Sequence, residues 1–243
     1  MVKNVVPVTL RDLKNRHAGE RAFIIGNGPS LTVEDLDLLR DEVSFAANKI
    51  YLYFSETAFR PNYYASVDLI FLENFRHKIP EIRGTKFLPL SVAQWFQPSE
   101  NLFLFQEIGS PKGQRFEPGF SLDIQQGIYG GFTVSFTLIQ LAFYMGIREL
   151  YLVGMDHDYC LPSKRAQHHA YGEVLVSEGE INHFHQSYRP RGEIWSIPRP
   201  EYQERAYRLA LETFRSYGRT ILNATRGGKL NIFPRVNFEE IVL

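Results

Sequence analysis

The stretch Gly127-Ile128-Tyr129-Gly130-Gly131-Phe132-Thr133 precedes a helical pattern of apolar residues that ends at Gly146. Its three glycines allow the backbone to approach a ligand closely, and Thr133 is a residue type that caps helix N-termini. Apolar side chains fall on every face of the predicted helix, so we expect it to be buried nearly all round. Its free N–H groups and the positive end of its dipole favour a phosphate. The alternative is that these glycines only permit tight packing of the helix against a strand.

A second glycine-rich turn lies near the start of the chain. The apolar run 21–26 predicts a buried strand, and it leads into Gly26-Asn27-Gly28-Pro29-Ser30 and a helical pattern at 32–40. Strand, glycine turn and helix in this order are typical of nucleotide-binding βα units. The turn lacks the third glycine of a dinucleotide fingerprint and the Gly-Lys-Ser/Thr ending of a phosphate-binding loop.

Further short apolar runs predict strands at 42–48, 62–68, 85–91, 101–106, 148–159 and 219–225, and amphipathic spacing predicts a helix at 201–217. These patterns predict an α/β fold with a Rossmann-like, mostly parallel sheet flanked by helices. Asn27, Asn48 and Asp68 each follow an apolar run, where α/β proteins keep their ligand crevice. Asn and Asp also cap helices and favour turns, but several in succession favour a site.

A polar, lid-like insertion is predicted at about 160–198. Five of the seven histidines lie between 157 and 185, and an insertion of this length in a compact domain is usually functional. The basic turn that follows the last predicted strand offers Arg226 and Lys229, which either hold phosphate or are simply solvated.

Composition excludes several classes of protein. Lys+Arg and Asp+Glu balance at 27 each, which argues against binding nucleic acid through bulk charge. Cys160 is the single cysteine, which is compatible with a reducing, cytoplasmic location. The apolar run at the N-terminus is too short for a signal peptide, and no run of 18 apolar residues predicts a transmembrane segment. We expect residues 1–243 to form one domain.

Two blocks resemble known families. Ile24 to Leu31, and the run from Gly127 to Asp156, are similar to motifs of a family of bacterial sialyltransferases. Together with Asn223 to Gly228, they also resemble the relatives named after 6-hydroxymethylpterin diphosphokinase, which include the central domain of the motility accessory factors that glycosylate flagellin. The resemblance implies a Rossmann-like sheet and a nucleotide-linked donor, which is a CMP-linked nine-carbon sugar in the sialyltransferases.

The resemblance also implies roles for individual residues. Asn27 and Asn48 match the asparagines that contact the nucleotide, and Tyr159 lies nearest to the tyrosine that supports the departing phosphate. His183 or His185 lies where the family has its base, whereas Gln125 and Gln126 stand where it has an arginine. The predicted nucleotide site comprises Gly26, Asn27, Gly28, Pro29, Ser30, Asn48, Asp68, Gly130, Gly131, Phe132, Thr133 and Asp156.

These observations predict a glycosyltransferase that needs no cofactor and moves a sugar, sialic-acid-like if the resemblance extends that far, onto a surface glycan or glycoprotein. Homo-oligomers are a further implication of the resemblance. One alternative is a diphosphokinase acting on ATP and a pterin-like alcohol, with Mg²⁺ on Asp156 and Asp158 and, in one variant, Asp68. Another is a transition metal on Asp156, His157 and Asp158 with His168 and His169. A third is a nucleotide- or glycan-binding module without catalysis.

Overall fold

The computed structural model describes residues 9–109, 116–163 and 165–242, without the side chains of 165–168. In chain order its strands are β1 (Arg21–Ile25), β2 (Ser44–Ala47), β3 (Tyr63–Ala65), β4 (Thr85–Pro89), β5 (Leu102–Phe105), β6 (Glu107–Ile108), β7 (Ile128–Tyr129), β8 (Glu149–Val153), β9 (Arg165–His169), β10 (Gly172–Val176), β11 (Ile194–Ser196) and β12 (Thr220–Asn223). Its α-helices are α1 (Val33–Leu38), α2 (Leu69–Phe75), α3 (Val134–Tyr144), α4 (Pro200–Ser216) and α5 (Phe238–Val242). Shorter 3-10 helices cover Leu10–Leu13, Asn48–Tyr53, Arg76–Glu81, Leu90–Trp95 and Ile124–Gln126.

Seven strands form one sheet in the order β12-β8-β1-β2-β3-β4-β5, and every neighbouring pair is parallel. This arrangement confirms the predicted α/β, Rossmann-like fold. From β1 the chain builds the sheet outward through β2 to β5, and later adds β8 and β12 on the other side. The strand order therefore reverses between β1 and β8, and such a switch point opens a crevice at the carboxyl ends of the strands.

The apolar runs form strands because both faces of the sheet are covered. In β1, Ala22 and Ile24 face the core cluster that contains α3 and α4, whereas Phe23 and Ile25 face the cluster that contains α1. Helix α3 is buried from Ser135 to Tyr144, as its sequence predicts. Its nearly uniform apolarity reflects contacts with β1, β2 and β3 on one side and α4 on another.

The predicted insertion contains three strands that form a separate antiparallel sheet, in the order β11-β10-β9. A buried ion pair ties it to the main sheet, since Lys49 Nζ lies 2.7 Å from Glu193 Oε2 and donates to the Tyr188 carbonyl at 2.7 Å. The insertion is therefore held against the segment that follows β2.

The structure differs from the predicted elements in several places, and the strand predicted at 148–159, for example, ends at Val153. The strand predicted at 62–68 ends at Ala65, because Asp68 is the N-cap of α2 and accepts from the N–H groups of Ile70 and Phe71. The strand β6 begins at Glu107, next to β7, in a segment that shows no strand pattern in the sequence. Every helix in the described ranges is too short or too polar to cross a membrane.

Candidate functional site

Two adjoining pockets lie at the carboxyl ends of the parallel strands. The inner pocket, about 120 Å³, is lined by Ile25, Gly26, Asn27, Gly28, Ala47, Asn48, Thr133, Val134, Ser135, Gly154, Met155, Asp156, His157, Asp158, Tyr159, Asn182, His183, Tyr188 and Tyr207. The outer pocket, about 360 Å³, is lined by Asn48, Val67, Asp68, Phe105, Glu107, Ile128, Tyr129, Gly130, Gly131, Phe132, Thr133, Val134, Thr137, Tyr159, His183, Arg189, Trp195, Ser196, Ile197, Pro198 and Gln203. The two pockets share Asn48, Thr133, Val134, Tyr159 and His183, so they are parts of one cleft.

The first glycine turn packs tightly against the end of β8. A Cβ on Gly28 would lie 1.8 Å from Asp156 Oδ2, and one on Gly26 would lie 2.2 Å from the Gly154 carbonyl oxygen. Ser30 donates to Asp156 from its backbone N–H at 3.2 Å and from Oγ at 2.8 Å. These two glycines therefore serve the close approach of two backbone turns, and Ser30 orients the Asp156 carboxylate.

Two asparagines bring amide groups to the inner pocket. Asn27 Nδ2 donates to the Ala47 carbonyl at 3.1 Å, whereas its Oδ1 is buried and has no hydrogen-bond partner among the described residues. Asn48 adopts a left-handed backbone, with φ of 49°, and its Oδ1 accepts from Ser66 Oγ at 2.9 Å. Asn27 thus offers the inner pocket an unused acceptor, which suits an amino or hydroxyl group of a nucleoside.

The second glycine turn lines the outer pocket. Thr133 is the N-cap of α3 and accepts from the N–H of Ser135 at 3.3 Å, as predicted. Gly131 packs on the Phe136 ring, since an added Cβ would lie 2.5 Å from it, but a Cβ on Gly130 would meet its nearest atom at 4.0 Å. Close packing on Phe136 therefore explains the glycine at position 131, whereas the backbone at Gly130 has free space beside it.

Hydrogen bonds fix His183 at the wall between the pockets. The side chain of Asn182 accepts from the Cys160 N–H and donates to the Cys160 carbonyl, both at 2.7 Å. Phe184 N–H donates to the Asn27 carbonyl at 3.1 Å. The His183 ring stacks on Tyr188 with centroids 3.8 Å apart and planes 4° apart.

Burial, reinforced by the positive charges of Arg189 and Lys49, holds the pKa of His183 well below its usual value. The ring is therefore neutral at neutral pH, which is the form that accepts a proton. His185 lies elsewhere: its Nδ1 accepts from the Ser187 N–H at 3.0 Å, its Nε2 is 3.9 Å from Glu56, and it lines neither pocket. The structure thus brings His183, and not His185, to the cleft.

Tyr159 faces the same shared wall. Its hydroxyl donates to Gln203 Oε1 at 3.3 Å, and Gln203 Nε2 donates to the Phe132 carbonyl at 2.9 Å. Burial raises the pKa of Tyr159 above its ordinary value, so the hydroxyl keeps its proton and remains a donor. Gln203, on α4, had no recognisable sequence signal, although it connects the predicted tyrosine to the second glycine turn.

The two predicted phosphate cations line neither pocket and are paired with carboxylates, although the partner of Lys229, Asp158, lines the inner pocket. Arg226 bonds Asp35 at 2.8 Å and Glu239 at 2.6 Å, and Lys229 Nζ lies 2.8 Å from Asp158 Oδ1. The cation that does line the outer pocket is Arg189, which the sequence analysis did not single out. The sequence feature that could have indicated Arg189 is its position beside Tyr188 in the histidine-rich insertion.

The metal hypotheses concern Asp156 and its neighbours. Burial raises the pKa of Asp156, and its oxygens accept from Ser30. Within the described side chains, which exclude that of His168, no group of three His, Cys, Asp or Glu residues could hold a metal ion. His157 pairs with Glu204 at 3.6 Å, and His169 Nδ1 accepts from the Tyr171 N–H at 3.4 Å.

A family model described as 6-hydroxymethylpterin diphosphokinase MptE-like matches residues 1–161. The chain belongs to this family. The matched MptE-like region includes both glycine turns, Asp156 and Tyr159, and it ends before His183 and Arg189. The family match thus covers the first part of the cleft, and the insertion and α4 supply the rest.

A solved structure of the Maf glycosyltransferase from Magnetospirillum magneticum AMB-1 resembles the MptE-like chain with a TM-score of 0.52 and 14% sequence identity. The similarity covers 93% of this chain and 35% of the Maf chain, so the chain spans about a third of the length of that protein. At this identity the similarity establishes the fold. A comparison with curated proteins gave no match.

Proposed function

We propose that the chain is a glycosyltransferase that uses a nucleotide-activated sugar, with His183 as the general base and Tyr159 supporting the departing phosphate. The observation that carries this proposal is that both side chains lie on the wall shared by the two pockets. A base that deprotonates an acceptor hydroxyl must reach the acceptor while the donor is bound beside it. The Maf neighbour, which is named as a glycosyltransferase, shares the fold that places this cleft.

The inner pocket suits the nucleotide. It lies at the switch point between β1 and β8, and Asn27 contributes the unused Oδ1 acceptor. The N-terminus of α3 lies between this pocket and the outer one, with the open backbone at Gly130 on the outer side, and a donor phosphate there would gain from the helix dipole. The sugar and the acceptor would then occupy the outer pocket. A CMP-linked, sialic-acid-like donor is our preferred ligand because both cleft asparagines match the sialyltransferase motif.

Transfer assays with a matched pair of histidine variants test the base. With CMP-N-acetylneuraminate as donor, we expect His183→Ala to lower kcat by about 10²- to 10⁴-fold, the usual contribution of a general base. His185→Ala is the control, since the same insertion holds it outside the pockets. Equal activity of both variants and the wild type would reject His183 as the base.

A diphosphokinase is the second candidate, and it is favoured by the family name and by two carboxylates, Asp156 and Asp158, in the inner pocket. Such an enzyme would bind ATP with Mg²⁺ on these oxygens. Thermal-shift measurements with CMP, CDP, UDP, GDP, ADP and ATP, each with and without Mg²⁺, separate the candidates because a ligand that binds only the folded state raises Tm. A metal-independent shift with CMP supports glycosyl transfer, and a Mg²⁺-dependent shift with ATP alone supports the kinase.

A further inference from the structure

Arg189 is a charged group without a charged partner inside the cleft. It is mostly buried and lines the outer pocket, its Nε is shielded from solvent, and its guanidinium makes no hydrogen bond or ion pair with any described residue. Buried charges in proteins are normally paired, because removing them from water is costly. Neither the fold nor the proposed base and phosphate-supporting roles account for this unpaired cation.

The guanidinium is already oriented. Its central carbon lies 4.1 Å from the centroid of the Trp195 ring, so the aromatic face holds it in place. A guanidinium that stacks in this way keeps its N–H groups available in its own plane, which is the geometry that matches a carboxylate or phosphate. Trp195 lines the same pocket, so the Arg189 guanidinium and the aromatic ring that supports it belong to one site.

The carboxylates of Glu193, Asp68 and Glu180 attract Arg189 through space, but none forms an ion pair or hydrogen bond with its guanidinium in the described part of the chain. Asp68 Oδ1 accepts from the N–H groups of Ile70 and Phe71 and, at 3.2 Å, from Ser196 Oγ, so it is committed to the start of α2. Glu107 also lines this pocket, and burial raises its pKa, which is the effect expected of a carboxylate that has no neighbouring cation to stabilise it.

We propose that Arg189 makes the outer pocket a receptor for an anionic group, a carboxylate or a phosphate, on the ligand that occupies it. The proposal deepens the proposed function, and its carboxylate form rests on a sugar-acid donor. Anion binding can nevertheless be measured without any transfer reaction.

Nuclear magnetic resonance of the arginine Nε–H groups provides the test. The Arg189 signal is assigned by its loss in Arg189→Lys, and the full chain is titrated with N-acetylneuraminate, its neutral methyl ester, inorganic phosphate and, for ionic strength, sodium chloride. We expect a saturable shift of the Arg189 signal with the sugar acid or with phosphate. The ester and chloride should leave it unchanged, as should the Arg199 signal, since Arg199 pairs with Glu173 outside both pockets.

The outcomes separate the sources of the anion. A response to N-acetylneuraminate alone identifies a sugar carboxylate, and a response to phosphate alone identifies a phosphoryl group. In a Trp95→Phe background, the fluorescence of Trp195 reports anion binding. The dissociation constant should be at least about tenfold higher in Arg189→Lys than in the protein that keeps Arg189, because an ammonium group cannot reproduce the planar guanidinium. No saturable shift with either anion, or an equal shift with the ester, would overturn the proposal. Transfer activity with no anion response would reject it while leaving the proposed function intact.

Discussion

Substituting alanine at Gly28 and at Gly130 should separate the structural from the ligand-binding use of the two glycine turns. Neither glycine needs a left-handed backbone, so the two positions differ mainly in available space. At Gly28 the new Cβ would lie 1.8 Å from Asp156 Oδ2 and 2.7 Å from the Gly154 carbonyl oxygen, whereas at Gly130 the nearest atom is 4.0 Å away. The Asp156 carboxylate can rotate away only by losing its bonds to Ser30.

The expected magnitudes follow from these contacts. Overpacking at Gly28 costs about 1–3 kcal/mol, and loss of hydrogen bonds to the Asp156 carboxylate adds roughly 1.5–3 kcal/mol. The lower entropy of the unfolded alanine chain offsets about 0.4–1 kcal/mol of this. We therefore expect Tm to fall by about 5–15 °C in Gly28→Ala, at roughly 2–4 °C per kcal/mol for a chain of this size.

Gly130→Ala should melt at or slightly above the wild-type Tm, by the same entropic effect, but should show a smaller thermal shift with nucleotide. Scanning calorimetry of both variants, with and without nucleotide, measures the two effects together. A Gly28→Ala protein that melts with the wild type would refute the steric reasoning. Equal destabilisation at Gly130 would refute the idea that this backbone is kept open for a ligand.

Three further predictions concern the cleft and its insertion. Because the pKa of His183 is lowered, kcat/KM should fall on the acid side only below the usual histidine pKa of about 6.5. Below a pH of about 6.5 the histidine of the unfolded chain becomes protonated, which also lowers the stability of the folded protein. A fall in kcat/KM at or above a pH of about 6.5 would contradict a buried base. Tyr159→Phe should lower kcat by about 10²-fold with little change in stability, as loss of a donor to a developing charge does, and unchanged steady-state kinetics would remove the hydroxyl from the reaction. Lys49→Met should cost up to about 3–5 kcal/mol in urea unfolding, because it leaves the partly buried Glu193 carboxylate without its cation. Lys49→Met with Glu193→Gln should recover much of this, and a double variant as unstable as the single one would show that the charge pair is not the cause.

The parallel sheet was predictable because its strands are short apolar runs that both faces bury. Helix α3 was predictable for the same reason, together with the Thr133 cap. The strands of the insertion were not, since β9 reads Arg-Ala-Gln-His-His and carries no apolar alternation. Asp68 shows that a polar residue after an apolar run does not by itself locate the end of a strand. The same residue type can also begin a helix, and here Asp68 caps α2.

The site was predictable where its residues lie in a local motif. Asn27 follows from the turn at the end of β1, whereas the family resemblance indicated Tyr159 and left His183 and His185 as alternatives. Arg189 and Gln203 have no such motif, because only the folding of the insertion and α4 brings them to the second glycine turn. At Arg226 a local motif was misleading. The basic glycine turn suggested a phosphate site, but Asp35 and Glu239, which are distant in sequence, already neutralise the Arg226 guanidinium.

Unfavourable backbone conformations are concentrated at this cleft, which supports its assignment as the functional centre. The described residues include four non-glycine positions with positive φ, and Asn48, Phe132 and His157 among them all line the two pockets. Such conformations cost free energy, most of all for a bulky residue such as Phe132, and persist where surrounding contacts impose them. One contact on Phe132, besides the packing of its ring on Phe116 and Tyr202, is the Gln203 amide, which donates to its carbonyl and also accepts from the Tyr159 hydroxyl. The strained turn and the proposed phosphate-supporting group are therefore one hydrogen-bonded unit, so Gln203→Leu should release both and lower kcat in the transfer assay.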